Sequence, residues 1–227
     1  MFEFLYQRGK IYGVRVSESN ANNELSFHDA PALWCASQSL KQAIKWGSPG
    51  IPWKNQMRPL HKELGAMMSA VSHNDELARV VINGVPKEAF ERGIFPEEAL
   101  KQRFNEVDKL ARKVDLVPAK GAPLLVHILS YLQSILLIKS ASYISQSELN
   151  DEEIDFNKLS THDILYRARF WLDRGDLTQA LKYMNLLQGA PRVVARQWIH
   201  EAKILLETEQ AANLLMAYAI SCGLKYL

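Results

Sequence analysis

A chain of 227 residues has room for one large or two small domains, and its 48% hydrophobic content excludes a disordered chain. Its 27 basic residues against 25 acidic ones leave a net charge of +2. That is too even to draw the whole molecule to nucleic acid or to an anionic bilayer, so any such attraction must come from a local patch.

The first 28 residues form an irregular lead-in and linker. Phe2, Phe4 and Tyr6 alternate with Glu3 and Leu5, and Ile11, Val14 and Val16 follow, which fits either a short strand pair or an irregular segment. Residues 17–24 are a polar linker. Glu3 comes early and no long apolar run follows, so this is not a signal peptide. It is not rich in Ser and Arg either, unlike a transit peptide.

Asp29 and Pro31 open a helix to about Trp46, with Leu33, Ser37, Leu40 and Ile44 as its core-facing stripe. Two prolines and two glycines make 47–53 a loop. A helix begins near Pro59 and runs through Leu60, Leu64, Met67 and Met68. Asn74-Asp75 restarts it for a short piece from Leu77 to Ile82. Asn83-Gly84 ends that piece, and Pro86 bars extension.

Pro96 opens the next helix, 96–114. Leu100, Phe104, Val107, Ala111 and Val114 recur at helical spacing as a narrow apolar stripe. Glu97 and Glu98 in the first turn and Arg112 and Lys113 in the last complement the helix dipole. A long helix is predicted from about Pro123 to Ser145. It is apolar on most sides, the mark of a central buried helix. Its most apolar run, Leu124 to Ile138, is interrupted by His127, Ser130, Gln133 and Ser134. That run is shorter than the roughly 18–20 apolar residues a membrane span requires. An acidic loop follows at 147–157.

The remainder reads as four helices, near 161–174, 177–188, 191–207 and 209–222; the last two are alternatively one helix kinked near Thr208. Gly175 suits the left-handed end of one helix, Asp176 caps the next, Gly189 stops it and Pro191 suits a first turn. The Gly-Asp break with Ala180-Leu181 resembles a tetratricopeptide helix pair, but no second copy follows at the required interval, which leaves one αα-hairpin. The predicted fold is all-α, a helical bundle of about seven to nine helices with an irregular N-terminal segment. The predicted domains are a lead-in over 1–28, a helical region over 29–117 and a C-terminal bundle over 118–227.

Nothing in this pattern points to catalysis. The six histidines are scattered, with no i,i+4 pair beside a glutamate. No phosphate-binding glycine loop, nucleophile elbow or C-x-x-C pair occurs. Asp151, Glu152 and Glu153 read as a solvated charge run. Cys35 and Cys222 are too few and too far apart for a disulfide framework or a zinc site. Two buried or semi-buried thiols are the expectation, with one bridge between them as the alternative. No catalytic residue, metal or cofactor is predicted.

Several stretches, in order, carry a likeness to a known family. They are Gly93-Ile94, Leu100-x-x-Arg103-Phe104, Ala111-Arg112 and the run from Leu129 to Leu136. Then come Gly175-Asp176-Leu177 with Ala180-Leu181, Asn185-x-Leu187-x-Gly189, Arg192-Val193-Val194-Ala195-x-x-Trp198-x-x-Glu201-Ala202 and Leu206-Glu207-x-x-Gln210. Trp34 with Gln38-x-Leu40 is a weaker echo. Over roughly residues 30 to 222 the chain resembles the C-terminal domain of mitofilin, the membrane-shaping subunit of the MICOS complex at crista junctions. Full-length members of that family carry a targeting segment, one membrane span and a long coiled coil, none visible in this sequence. The resemblance implies a structural role at the mitochondrial inner membrane, on the intermembrane-space side.

Two candidate sites follow. An amphipathic helix flanked by Lys and Arg can lie flat on an anionic bilayer, each cation contributing about 1 kcal/mol near the surface. The alternative is a core helix whose stripe faces its neighbours. The resemblance implies a lipid-binding region just before the terminal domain, for which Lys101, Arg103, Phe104, Lys109 and Arg112 are the candidates. It also implies a docking site for a small CHCH-domain MICOS subunit, placed on Tyr166, Phe170, Leu214 and Tyr218. Expected partners are that subunit, other MICOS components and anionic lipid, with no nucleic acid; a homo-oligomer stays open. The rivals are a soluble tetratricopeptide-like adaptor for peptides or proteins and an enzyme with an unrecognised pocket.

Overall fold

A computed structural model describes residues 29–71, 75–115, 144 and 159–224. The strand alternative for 1–28, the apolar helix expected over 123–145 (Ile144 apart) and the acidic loop at 147–157 lie outside these residues. The described residues form eight α-helices: α1 (Asp29–Lys45), α2 (His61–Ala70), α3 (Glu76–Asn83), α4 (Lys87–Glu91), α5 (Glu97–Asp115), α6 (Thr161–Asp173), α7 (Leu177–Asn185) and α8 (Gly189–Leu224). One 3-10 turn spans Trp53–Asn55. Among the described residues there is no strand, only an isolated bridge in which Arg58 and Ile94 exchange backbone hydrogen bonds of 2.8 and 3.0 Å. The all-helical expectation holds.

The chain divides into two compact units. Unit 1 comprises Met1–Leu40, Lys62–Val85 and Ala211–Leu227; unit 2 comprises Lys41–His61 and Pro86–Gln210.

In unit 1 the predicted stripe of α1 is buried at Leu33, Ser37 and Leu40. Leu64 and Met67 of α2, Ala78 and Ile82 of α3, and Leu215, Ala219 and Cys222 of α8 are buried too. Met68 is exposed, one residue round the helix from Met67. The restart at Asp75 is a true N-cap, since its Oδ1 accepts the Ala78 N–H at 3.0 Å. Both cysteines are free thiols, Cys222 buried and Cys35 exposed, so the expectation of burial fails at Cys35.

In unit 2, α5 buries Ala99, Leu100, Phe104, Val107 and Ala111 at the spacing its sequence prescribes. Ser160 starts α6 with a capping box: its Oγ accepts the Asp163 N–H, and Asp163 Oδ2 accepts the Ser160 N–H, both at 3.2 Å. Gly175 takes φ +79°, which only glycine adopts without strain. Asp176 Oδ1 accepts the Gln179 N–H at 2.8 Å and opens α7. The result is the predicted αα-hairpin, α6 packed on α7.

The four terminal helices of the sequence reading become three, because α8 is one helix of 36 residues. Nothing at Thr208 breaks it. The hydroxyl folds back on its own helix and donates to the Ile204 carbonyl at 2.8 Å, a bond made within a continuing helix.

Candidate functional site

Each predicted lipid-contact residue sits on α5 in unit 2. Phe104 is 1% exposed and meets Trp198 edge-on, with ring centroids 5.4 Å apart. Trp198 is fully buried, and its Nε1 donates to the Leu100 carbonyl at 2.9 Å. Arg103 is buried as well. Its guanidinium lies 4.7 Å from the Trp53 ring centroid and donates from Nη2 to Gln197 Oε1 at 2.7 Å. Nη1 has no partner among the described residues. Burial pushes the pKa of this guanidinium down, opposed by Glu201 and Glu106. As placed, Phe104 and Arg103 face the protein interior because they fall on the same side of α5 as Leu100 and Val107.

The cations that reach solvent lie elsewhere on the helix. Lys101 is exposed and pairs with Asp173 at 3.4 Å. Lys109 and Lys113 are exposed, and between them Leu110 is 50% exposed. Arg112 donates from Nε to Asp108 Oδ1 at 2.8 Å and also meets the His162 ring. Arg169 reaches the other oxygen of the same carboxylate, Asp108 Oδ2, at 3.1 Å. Two guanidinium groups thus share one carboxylate; on the C-terminal half of α5 itself Lys109, Arg112 and Lys113 are matched by Glu106, Asp108 and Asp115. His162 and Arg169 of α6 meet this end of α5 through Arg112 and Asp108. Sequence reasoning missed both, because neither shares a helix with the predicted stripe.

The predicted docking residues fall in two places. In unit 2, Tyr166 is 38% exposed. Phe170 is half-buried, edge-on to Trp171, with the Arg174 guanidinium 3.6 Å above its ring centroid. In unit 1, Leu214 is 50% exposed. Tyr218 is half-buried, and burial, then Asp75 and Cys222, drive its hydroxyl pKa well up. Each pair is spaced i,i+4 and so shares a helix face.

A mixed ion-pair cluster also lies in unit 2. Arg92 bridges Glu88 at 2.6 Å and the buried Glu201 at 3.1 Å, while His200 Nε2 lies 3.0 Å from Glu88 Oε1. Arg92, then His200, hold the Glu88 carboxyl below its usual pKa.

Among the described residues no group of His, Cys, Asp and Glu is placed to hold a metal ion, and no helix is long and apolar enough to cross a membrane.

A family model described as "Mitofilin: Mitochondrial inner membrane protein" matches residues 14–220. The MICOS complex subunit Mic60 of Drosophila melanogaster is 46% identical over 220 residues, covering 96% of this chain and 30% of the relative. MICOS complex subunit MIC60 of Sordaria macrospora is 27% identical over 183 residues, covering 81% and 25%. MICOS complex subunit MIC60-2 of Caenorhabditis elegans is 27% identical over 190 residues, covering 82% and 28%. The chain therefore spans less than a third of the length of these curated relatives. No solved structure matches it. With the family model covering most of its length, the chain belongs to the mitofilin family of mitochondrial inner membrane proteins.

Proposed function

We propose that this chain is the C-terminal helical part of a MICOS subunit with a structural, non-catalytic role. It supports crista junctions and cristae organisation from the intermembrane-space side of the inner membrane. The observation that carries this reading is the family match over residues 14–220, joined by relatives named as MICOS complex subunits. The chain contributes lipid contact and partner docking. Lipid contact is assigned to the solvent-facing side of α5, where Lys109, Leu110 and Lys113 lie together beside Arg112. Leu110 offers the inserting side chain and the cations meet lipid phosphates. Docking of a CHCH-domain MICOS subunit is assigned to Tyr166 and Phe170, or to Leu214 and Tyr218.

Co-sedimentation with cardiolipin-containing vesicles tests the lipid half. Wild type should pellet, and K109E/K113E should partition about thirty-fold less or weaker, since two cations near the surface contribute about 1 kcal/mol each. Both lysines are exposed, so the variant keeps the fold, which a circular dichroism melt checks. Equal pelleting of the folded variant removes lipid contact from this helix. Failure of the wild type to pellet favours the adaptor reading, for which the α6–α7 hairpin is the supporting feature.

A further inference from the structure

Residues 45–58 of unit 2 run from the last residue of α1 toward α2 and hold three cations, Lys45, Lys54 and Arg58, with no acid. Within them 48–52 are exposed at all five positions. A Cβ added at Gly50, where φ is +79°, would meet nothing within 4 Å, so the tip of this turn stands clear of the protein around it. The turn is nevertheless braced from inside. Gln56 is buried; its Oε1 accepts the Ser48 N–H at 3.3 Å and its Nε2 donates to the Ile51 carbonyl at 2.5 Å, so one side chain holds both limbs. A Cβ at Gly47 would stand 2.3 Å from that Oε1, which reserves the position for glycine. Two acids of α5 tie the ends down. Glu98 Oε2 accepts the Gly47 N–H at 3.1 Å, and Glu106 Oε1 accepts the Trp53 Nε1–H at 2.9 Å. What the braced turn presents outward is apolar: Ile51, 43% exposed between Gly50 and Pro52, and Trp46, 64% exposed.

We infer that this turn is a membrane-insertion loop, in which Ile51 and Trp46 enter the headgroup region of an anionic bilayer while Lys45 and Lys54 meet lipid phosphates. The contact is separate from the one assigned to Lys109, Leu110 and Lys113, and does not depend on it. Shape favours a bilayer over a peptide. Peptide and ligand sites are concave, whereas this tip projects into open space and offers nothing to enclose. Because Gln56 already fixes the backbone, inserting the tip orders little that was free. Tryptophan suits the interface, where its ring is half in lipid and half in water. Lys45 Nζ lies 5.8 Å from the Trp46 ring centroid and Lys54 Nζ 5.5 Å from that of Trp53. Long lysine stems in that position let the rings sit deeper while the ammonium groups stay at phosphate level. The two acids lie at the foot of the turn, on α5, with oxygens engaged by its N–H groups, so no carboxylate has to enter the bilayer.

The test is flotation of the full chain with vesicles of phosphatidylcholine containing cardiolipin and with vesicles of phosphatidylcholine alone. Wild type should float with the first and markedly less with the second. Ile51→Asp should partition into the cardiolipin vesicles about ten-fold less or weaker, the factor expected when one half-exposed aliphatic side chain no longer enters lipid. Ile51 lies outside the core, and an unchanged melt confirms that the variant folds. Brominated phospholipid in the same vesicles should quench tryptophan fluorescence, and Trp46→Phe should remove much of that quenching, a readout of this turn that a contact through Lys109 and Lys113 alone would not give. Equal flotation of Ile51→Asp and wild type, quenching unaltered in Trp46→Phe, equal flotation with both vesicle types, or no flotation of wild type each overturns the inference. Flotation lost in K109E/K113E but kept in Ile51→Asp places the contact on α5 alone and overturns it too.

Discussion

Trp198 shows how much one side chain can carry in unit 2. It is fully buried, packs edge-on against Phe104 and satisfies its indole N–H on the Leu100 carbonyl. Trp198→Ala removes that contact and leaves a cavity, so it should cost about 3–5 kcal/mol, read as a fall in denaturant midpoint at constant m-value. A melt shifted by less than about 2 °C would show that the site is not filled by this ring. Glu97 sits at the opposite extreme. Its folded pKa is raised above 4.5, with burial the largest cause, so its contribution favours the fold below that value and is lost as pH rises through the folded pKa. Glu97→Gln should therefore raise the melting temperature at pH 7 and leave it nearly unchanged near pH 4. Glu97 thus carries a charge that works against the fold at neutral pH.

At the scale of elements, local chemistry sets nearly every boundary. Ser160 with Asp163, Gly175 with Asp176, Asp75 and Pro96 all start or stop helices where their side chains or ring geometry require it. Asp176→Ala should cost about 1 kcal/mol, because the Gln179 N–H loses its acceptor at the head of α7. The same substitution should leave α6 untouched, since α6 carries its own capping box. Hydrogen exchange at α7 amides against those of α6 separates the two effects; equal acceleration in both would mean the hairpin unfolds as one unit. Thr208 shows where such local reading stops. A β-branched, hydroxyl-bearing residue signals a weak point in a helix, yet burial and the bond to the Ile204 carbonyl let α8 continue through it.

At the scale of the molecule, the overall charge is even, and any electrostatic pull must come from which side chains a helix face presents. Asp108 is shared by Arg112 and Arg169, and Lys109 and Lys113 add to the cations beside it. If this region meets anionic lipid, vesicle binding should fall steeply as salt rises, because the screening length shortens from about 10 Å at 0.1 M to about 3 Å at 1 M. Salt-independent pelleting would point to insertion of Leu110 and its neighbours without electrostatic help. The near-cancellation of 27 basic against 25 acidic residues speaks against recruitment by net charge alone.

Periodicity and capping chemistry determined the all-helical class, the stripes of α1 and α5 and the Gly175-Asp176 hairpin, because those signals are written in residues three or four apart. The family likeness was legible for a similar reason: it rests on the order and spacing of short motifs. Only the tertiary structure decided which side chains cover those stripes. The stripe included Phe104 and left out Leu110, which meets solvent, but no periodicity named what covers Phe104: it is Trp198, 94 positions away in sequence. The tertiary structure alone also collected Lys41–His61 and Pro86–Gln210 into one unit. Contacts between segments so distant along the chain are fixed by packing, and packing leaves no periodic mark in either segment.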